Sequence, residues 1–267
     1  MAGQVEAVGR NATHFKPGDE VFGVCISNPQ VSGVKVWVHH QGTFAEYACV
    51  SESILVLKPN NVTFEQAASV PVAALTALQG LRDKGHIQPG QKVLIHGAGG
   101  GVGTFAVQIA KSFGADVTGV SSTGNVDMVR SIGADQVIDY TQEDFTKSGQ
   151  HYDLIFDCYA NHPLSACRRA LNPRGIYVGV GASATGGGIG ILTRLVQMLV
   201  FSRLTSQKLV TFLAKPSKED LIILRELMAT GKVTPVIDKR YRLSEIPGAI
   251  RYLEEGHARG KVVITLE

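Results

Sequence analysis

The chain has no Cys-x-x-Cys pair, no cluster of Lys and Arg, no internal repeat and no low-complexity tract. Each absence removes a class of function. Its four cysteines, Cys25, Cys49, Cys158 and Cys167, are scattered over 267 residues, so their spacing encodes neither a redox dithiol nor a disulfide framework. The formal net charge is +3, too mild and too diffuse to mark a nucleic-acid face. No uninterrupted apolar run is long enough for an integral membrane span. The nearest, Ile189 to Leu213, is broken by Arg194, Arg203 and Lys208, and fits an amphipathic helix or an interface element better. The opening Met1-Ala2-Gly3-Gln4-Val5 lacks the basic and apolar regions of a secretory leader. A cytoplasmic, reduced protein is expected. Hydrophobic residues at 44% and aromatic residues at 7% are ordinary for a globular chain, and the length suffices for two domains.

The first part of the chain reads as β. A strand is expected over Val5 to Val8, ending at Gly9. Lys16-Pro17-Gly18-Asp19-Glu20 is a turn, with proline pre-setting φ and glycine taking the φ > 0 place. Strands are expected at Val21–Val24, Thr43–Val50 and Ile54–Leu57, with a polar excursion over Ser27–Gln41 that carries a short strand at Val34–Val38. Thr63 followed by Gln66 makes a capping box that opens a helix, and a second helix is expected from Val72 to Arg82. From Gln88 onward, strands and helices alternate. Strands fall at Val93–Ile95, Val117–Ser121, Gln136–Tyr140, Leu154–Phe156, Ile176–Val178 and Leu209–Leu213. Helices fall at Gly103–Phe113, Val126–Ile132 and Pro163–Leu171. This alternation predicts a six-stranded, doubly wound parallel sheet of the α/β class. After Pro216, helices at Lys218–Ala229 and Ile246–Glu254 and a strand at Val262–Ile264 complete the chain.

The sharpest motif is Val93-Leu94-Ile95-His96-Gly97-Ala98-Gly99-Gly100-Gly101-Val102-Gly103, which leads into Thr104-Phe105-Ala106-Val107-Gln108-Ile109. An apolar strand enters a glycine turn and a helix leaves it. A pyrophosphate needs main-chain N–H groups at a helix N-terminus, and a Cβ would hold it away. A second strand follows about twenty residues later, as a dinucleotide fold requires. A glycine-rich turn without a ligand is the alternative. The end of that second strand reads Ser121-Ser122-Thr123, with no carboxylate to repel a 2′-phosphate and three hydroxyls to meet it. NADPH is therefore expected, with NADH as the second choice. The alternative is that these hydroxyls only cap the next turn.

These stretches, with EAVGRNATHFKPGDEVFG, GTFAEYACV, EQAASVPVAALTAL, IGADQVIDYTQEDF, YDLIFDC, LNPRGIYVGVG and HARGKVVI, resemble the medium-chain dehydrogenase/reductase superfamily in its zinc-free, quinone oxidoreductase-like branch. The resemblance spans nearly the whole chain. It implies a GroES-like catalytic domain over residues 1–70 and 216–267 and a Rossmann domain over 71–215. It also implies hydride transfer from NADPH to a quinone, enone or related conjugated carbonyl, and a homodimer paired along the sixth strand. By the same resemblance Gly100, Gly101 and Val102 hold the pyrophosphate, beside Gly97 and Gly103 of the turn. Thr76 lies near the nicotinamide, and Ser121 and Tyr140 reach the 2′-phosphate, beside Ser122 and Thr123. Cys158, Val180 and Gly181 line the nicotinamide or ribose, and Lys261 lies near the cofactor cleft. Relatives place a Lys or Arg just past the second strand, where this chain reads Thr123-Gly124-Asn125. They also begin with further strands and an Asn-Pro-x-Asp segment, so the front of the GroES-like domain is expected to be missing, leaving it partial.

Zinc is not expected. The resemblance puts Val72 where the zinc-using branch has a cysteine ligand, and residues 25–42 offer Cys25 alone against the four thiolates of a structural site. His39 and His40 are neighbours, whose side chains on a strand point to opposite faces. Without a metal, a developing enolate oxygen needs a hydrogen-bond donor, and Tyr47 and His40 are weak candidates. Two alternatives remain: a relative of the zinc-type alcohol dehydrogenases, and a cofactor-binding module without turnover.

Overall fold

The structure, a computed structural model, describes residues 1–25, 30–31, 34–35, 43–180, 197–198 and 205–266. The chain divides into two compact units, Met1–Leu75 with Pro216–Glu267, and Thr76–Lys215.

The first unit begins with β1 (Ala2–Gln4) and β2 (Glu20–Gly23), followed by the short pair β3 (Gln30–Val31) and β4 (Val34–Lys35), then β5 (Leu55–Leu57). β1, β2 and β5 form an antiparallel sheet in the order β1-β2-β5. The strand expected at Val5–Val8 lies earlier, at β1. The Lys16–Asp19 turn explains the shift. Gly18 takes φ +92°, the Asp19 N–H donates to Lys16 O at 3.1 Å, and Val5 bonds to Gly18 and Asp19 at the mouth of the turn. Pairing stops there, and Val8 is exposed. Residues 43–50 are not a strand either. No described strand offers them a ladder, and Phe44 and Tyr47 are exposed rather than alternately buried. Most of the Val34–Val38 expectation lies outside the described residues.

Two helices follow, α1 (Phe64–Ser69) and α2 (Pro71–Gln79). The capping box is made in full. The Gln66 N–H donates to Thr63 Oγ1 at 3.2 Å, and the Thr63 N–H donates to Gln66 Oε1 at 3.0 Å. α2 runs on into one wider turn, Gly80–Lys84, where the Gly85 N–H reaches back to Gly80 O. The boundary between the two units falls within α2, between Leu75 and Thr76.

The second unit contains β6 (Lys92–His96), α3 (Gly103–Ser112), β7 (Asp116–Ser121), α4 (Val126–Ser131), β8 (Gln136–Asp139), β9 (Tyr152–Asp157), α5 (Leu164–Arg169), β10 (Leu171–Val180) and β11 (Lys208–Phe212). All six strands pair in parallel, in the order β11-β10-β9-β6-β7-β8. The expected doubly wound sheet is therefore present, with β11 at one edge. The order reverses between β6 and β9, so a crevice opens at their carboxyl ends. Val93, Leu94 and Ile95 of β6 and Leu154, Ile155 and Phe156 of β9 are fully buried, the continuous apolar run of a sheet covered on both faces. Gly119 on β7 lets α4 come close, since a Cβ there would stand 2.6 Å from Val129 Cγ1.

The chain then returns to the first unit with α6 (Lys218–Ala229), β12 (Ile237–Arg242), α7 (Ile246–Glu254) and β13 (Lys261–Thr265), where β12 and β13 pair in parallel. Among the described residues no helix is long and apolar enough to cross a membrane.

Replacing Thr63 by Ala removes half of the capping box and is expected to lower stability by about 1 kcal/mol. A lower urea midpoint with an unchanged slope reads that effect; an unchanged midpoint contradicts it.

Candidate functional site

The site is built at the carboxyl end of β6. The N–H groups of Gly97 and Ala98 both donate to Val120 O, at 3.1 and 2.9 Å, which ties the start of the turn to β7. Gly97 needs its glycine, because its φ is +83°. Gly103 needs its glycine for a different reason. A Cβ there would run into the Gly97 carbonyl and stand 2.8 Å from Ala98 Cα, so strand end and helix start are too close for any side chain. Gly100 contrasts with both. The one neighbour within 4 Å of a Cβ there is Gly97 O at 3.4 Å, so a side chain would project into the opening.

The N–H groups of Gly101, Val102 and Gly103 have no acceptor among the described residues. They stand at the positive end of α3, a ten-residue helix. This cradle fits the linked phosphates of a dinucleotide: unpaired main-chain donors, a helix N-terminus, and glycine where a Cβ would fill the space.

The other strands bring further residues to the same edge of the sheet. Ser121 ends β7 and is buried. Ser122 and Thr123 follow it, the first half-buried and the second exposed. Tyr140 follows β8, donates its N–H to Ser121 O at 3.0 Å and exposes its ring. Cys158 follows β9 and Val180 ends β10, both half-buried. Gly97, Gly100–Gly103, Ser121–Thr123, Tyr140, Cys158 and Val180 therefore share the carboxyl edge of one sheet.

One sequence expectation needs correction here. No carboxylate follows Ser121 in sequence, yet one stands beside it in space. Asp139 is the last residue of β8 and the register partner of Ser121. Its carboxylate accepts from Thr123 Oγ1 at 2.6 Å and from the N–H and hydroxyl of Thr141 at 2.9 and 2.8 Å. The bonds from Thr123 and Thr141 hold its pKa below the usual carboxylate range. The hydroxyl of Thr123 is thus already engaged, and a negative charge lies next to the residues expected to meet a 2′-phosphate. Asn125 lies under the turn, with Nδ2 on Ser122 Oγ at 3.3 Å and a buried Oδ1 that has no partner.

The crevice itself holds a group that sequence reasoning missed. His96 and Asp157, the last residues of β6 and β9, are register partners, and His96 Nδ1 lies 2.8 Å from Asp157 Oδ1. Asp157 also accepts from the N–H groups of Tyr159 and Ala160, at 2.9 and 2.8 Å, and from Tyr177 Oη at 2.7 Å. Burial opposes its charge, but the bonds from His96, Ala160 and Tyr177 outweigh it and keep the carboxyl far below its ordinary range. The signal available was an acid closing an otherwise apolar strand, Leu154-Ile155-Phe156-Asp157. Such an acid must find donors or neutralise. Burial, and then the charge of Asp157, push the Cys158 thiol well above its usual pKa, which argues against a thiolate nucleophile.

The remaining expected residues fall elsewhere. Thr76, half-buried on α2, belongs to the unit that carries the turn. Lys261 opens β13 in the other unit, and burial pulls its ammonium pKa down. Tyr47 is exposed, outside any helix or strand, and His40 and Gly181 lie outside the described residues. Val72, exposed on α2, offers no metal donor. No group of three or more His, Cys, Asp or Glu among the described residues could hold a metal ion.

A six-stranded parallel sheet with a glycine turn and a helix start at its reversal point is the arrangement of dinucleotide-binding domains, and the chain carries a second unit rich in β-structure. Residues 1–60 match the alcohol dehydrogenase GroES-like domain, and residues 132–264 match the family described as zinc-binding dehydrogenase. The chain is 35% identical to the 2-methylene-furan-3-one reductase of Solanum lycopersicum, over 99% of its own length and 62% of the relative's. It is 34% identical to the chloroplastic quinone-oxidoreductase QR1 of Triphysaria versicolor, over 99% of its own length and 78% of the relative's. The solved quinone oxidoreductase of Coxiella burnetii superposes with a TM-score of 0.82 at 29% identity, covering 100% of this chain and 78% of that one. The chain belongs to the medium-chain dehydrogenase/reductase superfamily, in its quinone oxidoreductase-like branch, and is an oxidoreductase of the nicotinamide-dependent kind.

The contrast between the glycines is testable. Gly103→Ala is expected to lower stability by about 2 kcal/mol, because backbone must move, and Gly100→Ala by under about 0.5 kcal/mol. Equal melting shifts for the two variants contradict the cradle geometry.

Proposed function

We propose that this chain reduces a quinone, an enone or a related conjugated carbonyl with NADPH, and without zinc. The observation that carries this reading is the trio of unpaired N–H groups at Gly101, Val102 and Gly103, facing an opening that Gly100 keeps clear. The names of the tomato and Triphysaria relatives, a furanone reductase and a quinone oxidoreductase, support the acceptor class. A bound nicotinamide dinucleotide supplies the hydride.

The residues then divide the work. Gly97 and Gly100–Gly103 hold the pyrophosphate. Ser121, Ser122 and Tyr140 meet the adenosine ribose and its phosphate, and Thr123, expected there too, has its hydroxyl proton on Asp139. Thr76, Cys158 and Val180, all of the unit that carries the turn, are assigned to the nicotinamide half; Gly181 and Lys261 keep the roles that the resemblance implies for them. Tyr47 and His40 are the candidate donors to the developing enolate oxygen. The donor set supports zinc independence, since the resemblance puts Val72 where a ligand would stand, and polarisation of the carbonyl then falls to hydrogen bonds. NADPH is the preferred donor because hydroxyls gather at the end of β7. NADH is the second, because Asp139 opposes a 2′-phosphate and residues 123–125 supply no cation to offset it.

The β11 edge is the proposed dimer seam, joining two sheets by strand pairing. The four cysteines are free, which suits the reducing cytoplasm proposed for the chain.

A panel of phenanthrenequinone and simple enones, followed at the NADPH absorbance band, tests the function. Oxidation of NADPH with at least one acceptor is expected, and tight NADPH binding without oxidation by any acceptor would leave a binding module instead. Asp139→Asn is expected to shift the NADPH-to-NADH affinity ratio about threefold toward NADPH, by removing a like charge at the phosphate. An unchanged ratio contradicts the placement of the 2′-phosphate beside Asp139. Light scattering at micromolar concentration should report a dimer; a monomer ends the edge-pairing proposal.

A further inference from the structure

The loop Cys158 to Asn161 has no helix or strand to hold it, yet it leaves the carboxyl end of β9 at the reversal point of the sheet. It is also strained, because Ala160 adopts φ +53°, a left-handed conformation that a residue with a Cβ resists. Something must hold it there. The Asp157 carboxylate does so directly, accepting the N–H groups of Tyr159 and Ala160 on Oδ1. The carboxylate is itself gripped from two other strands, by His96 Nδ1 of β6 and Tyr177 Oη of β10. A carboxylate only accepts, so Nδ1 carries the proton and donates. Asp157 and Tyr177 are fully buried and His96 nearly so, which strengthens every bond in the set.

Both ends of this set adjoin cofactor residues. His96 precedes Gly97, the first residue of the phosphate turn, and Asp157 precedes Cys158, the wall residue. The Cys158 N–H also donates to His96 O at 3.0 Å, so the two strand ends are joined by backbone as well as by side chain. A Cβ on Gly97 would stand 3.3 Å from the Tyr159 ring and 3.4 Å from Cys158 Cβ, so turn and loop pack directly on each other. The rings of His96, Phe145 and His162 pack together behind them, with centroids 4.9 to 5.3 Å apart.

We propose that Asp157, held by His96 and Tyr177, is a positioning residue that locks the Cys158–Asn161 loop in the form needed to receive the nicotinamide half of the cofactor. It touches neither cofactor nor substrate; it acts through the loop. The inference rests on the function proposed above and adds a division of labour within the site. The glycine turn binds the phosphates, and the buried carboxylate prepares the place for the ring. Ordering the loop in advance removes an entropic cost from ring binding.

The test compares two ligands by calorimetry, NADPH and 2′-phospho-ADP-ribose, which lacks the nicotinamide. The wild-type chain is expected to bind NADPH more tightly, by about tenfold. Tyr177→Phe keeps the ring and deletes one of the donors to Asp157. It should erase most of that advantage while leaving the affinity for 2′-phospho-ADP-ribose within about twofold. Asp157→Asn should do the same more completely. A merely structural role would weaken both ligands together, so the ratio separates positioning from general destabilisation. Should Asp157→Asn fail to fold, Tyr177→Phe decides the matter alone. The inference is overturned if the folded variant keeps the wild-type ratio, if both affinities fall in parallel, or if the wild type gains nothing from the nicotinamide. If the wild type binds neither ligand, the proposed function fails first and this inference goes with it.

Discussion

The close approach of the end of β6 to the start of α3 is the constraint from which the rest follows. Gly103 packs against the Gly97 carbonyl with no room for a Cβ. The first N–H groups of α3 lack acceptors, as at any helix start, and that closeness sets them at the reversal point of the sheet. Because all six strands run parallel, every chain segment that leaves a carboxyl end arrives at the same edge. The hydroxyls after β7, the ring after β8, the thiol after β9 and the end of β10 are gathered by topology rather than by sequence proximity.

Charge is distributed along that edge in a consistent way. The positive end of α3 faces the opening and has no acid among its first residues. The acids that end β8 and β9 are both engaged. Asp157 is buried and surrounded by donors, so its charge is spent on holding backbone and side chains. Asp139 is spent partly on Thr123 and Thr141, but it remains close to Ser121 and counts against a second phosphate. In the proposed function, main-chain amides attract the pyrophosphate, and hydroxyls balanced against one carboxylate set the selectivity at the ribose.

Much of this was legible in the sequence, because the signals were local. The strand–glycine–helix run from Val93 to Ile109, the capping box at Thr63 and Gln66 and the turn at Lys16–Asp19 each depend on residues a few positions apart. The six strands of the sheet were readable because parallel strands buried on both faces are short apolar runs. What escaped depends on neighbours far along the chain. Asp139 stands beside Ser121 only because β8 pairs with β7, and Asp157 meets His96 and Tyr177 only because β9 lies between β6 and β10. The Thr43–Val50 run alternates in part, as a half-buried strand does, but a strand also needs a neighbour, and none of the described strands supplies one. The loss of the Val5–Val8 strand has the same origin, since its partner begins only where the Gly18 turn allows.

The most direct test of the account is an amide map of the chain titrated with NADPH, by heteronuclear NMR on a well-folded sample. The account predicts the largest shifts at the N–H groups of Gly101, Val102 and Gly103, with smaller ones at the ends of β7 and β9. Saturating NADPH that leaves those three amides unmoved, or shifts concentrated at the opposite edge of the sheet, would contradict it.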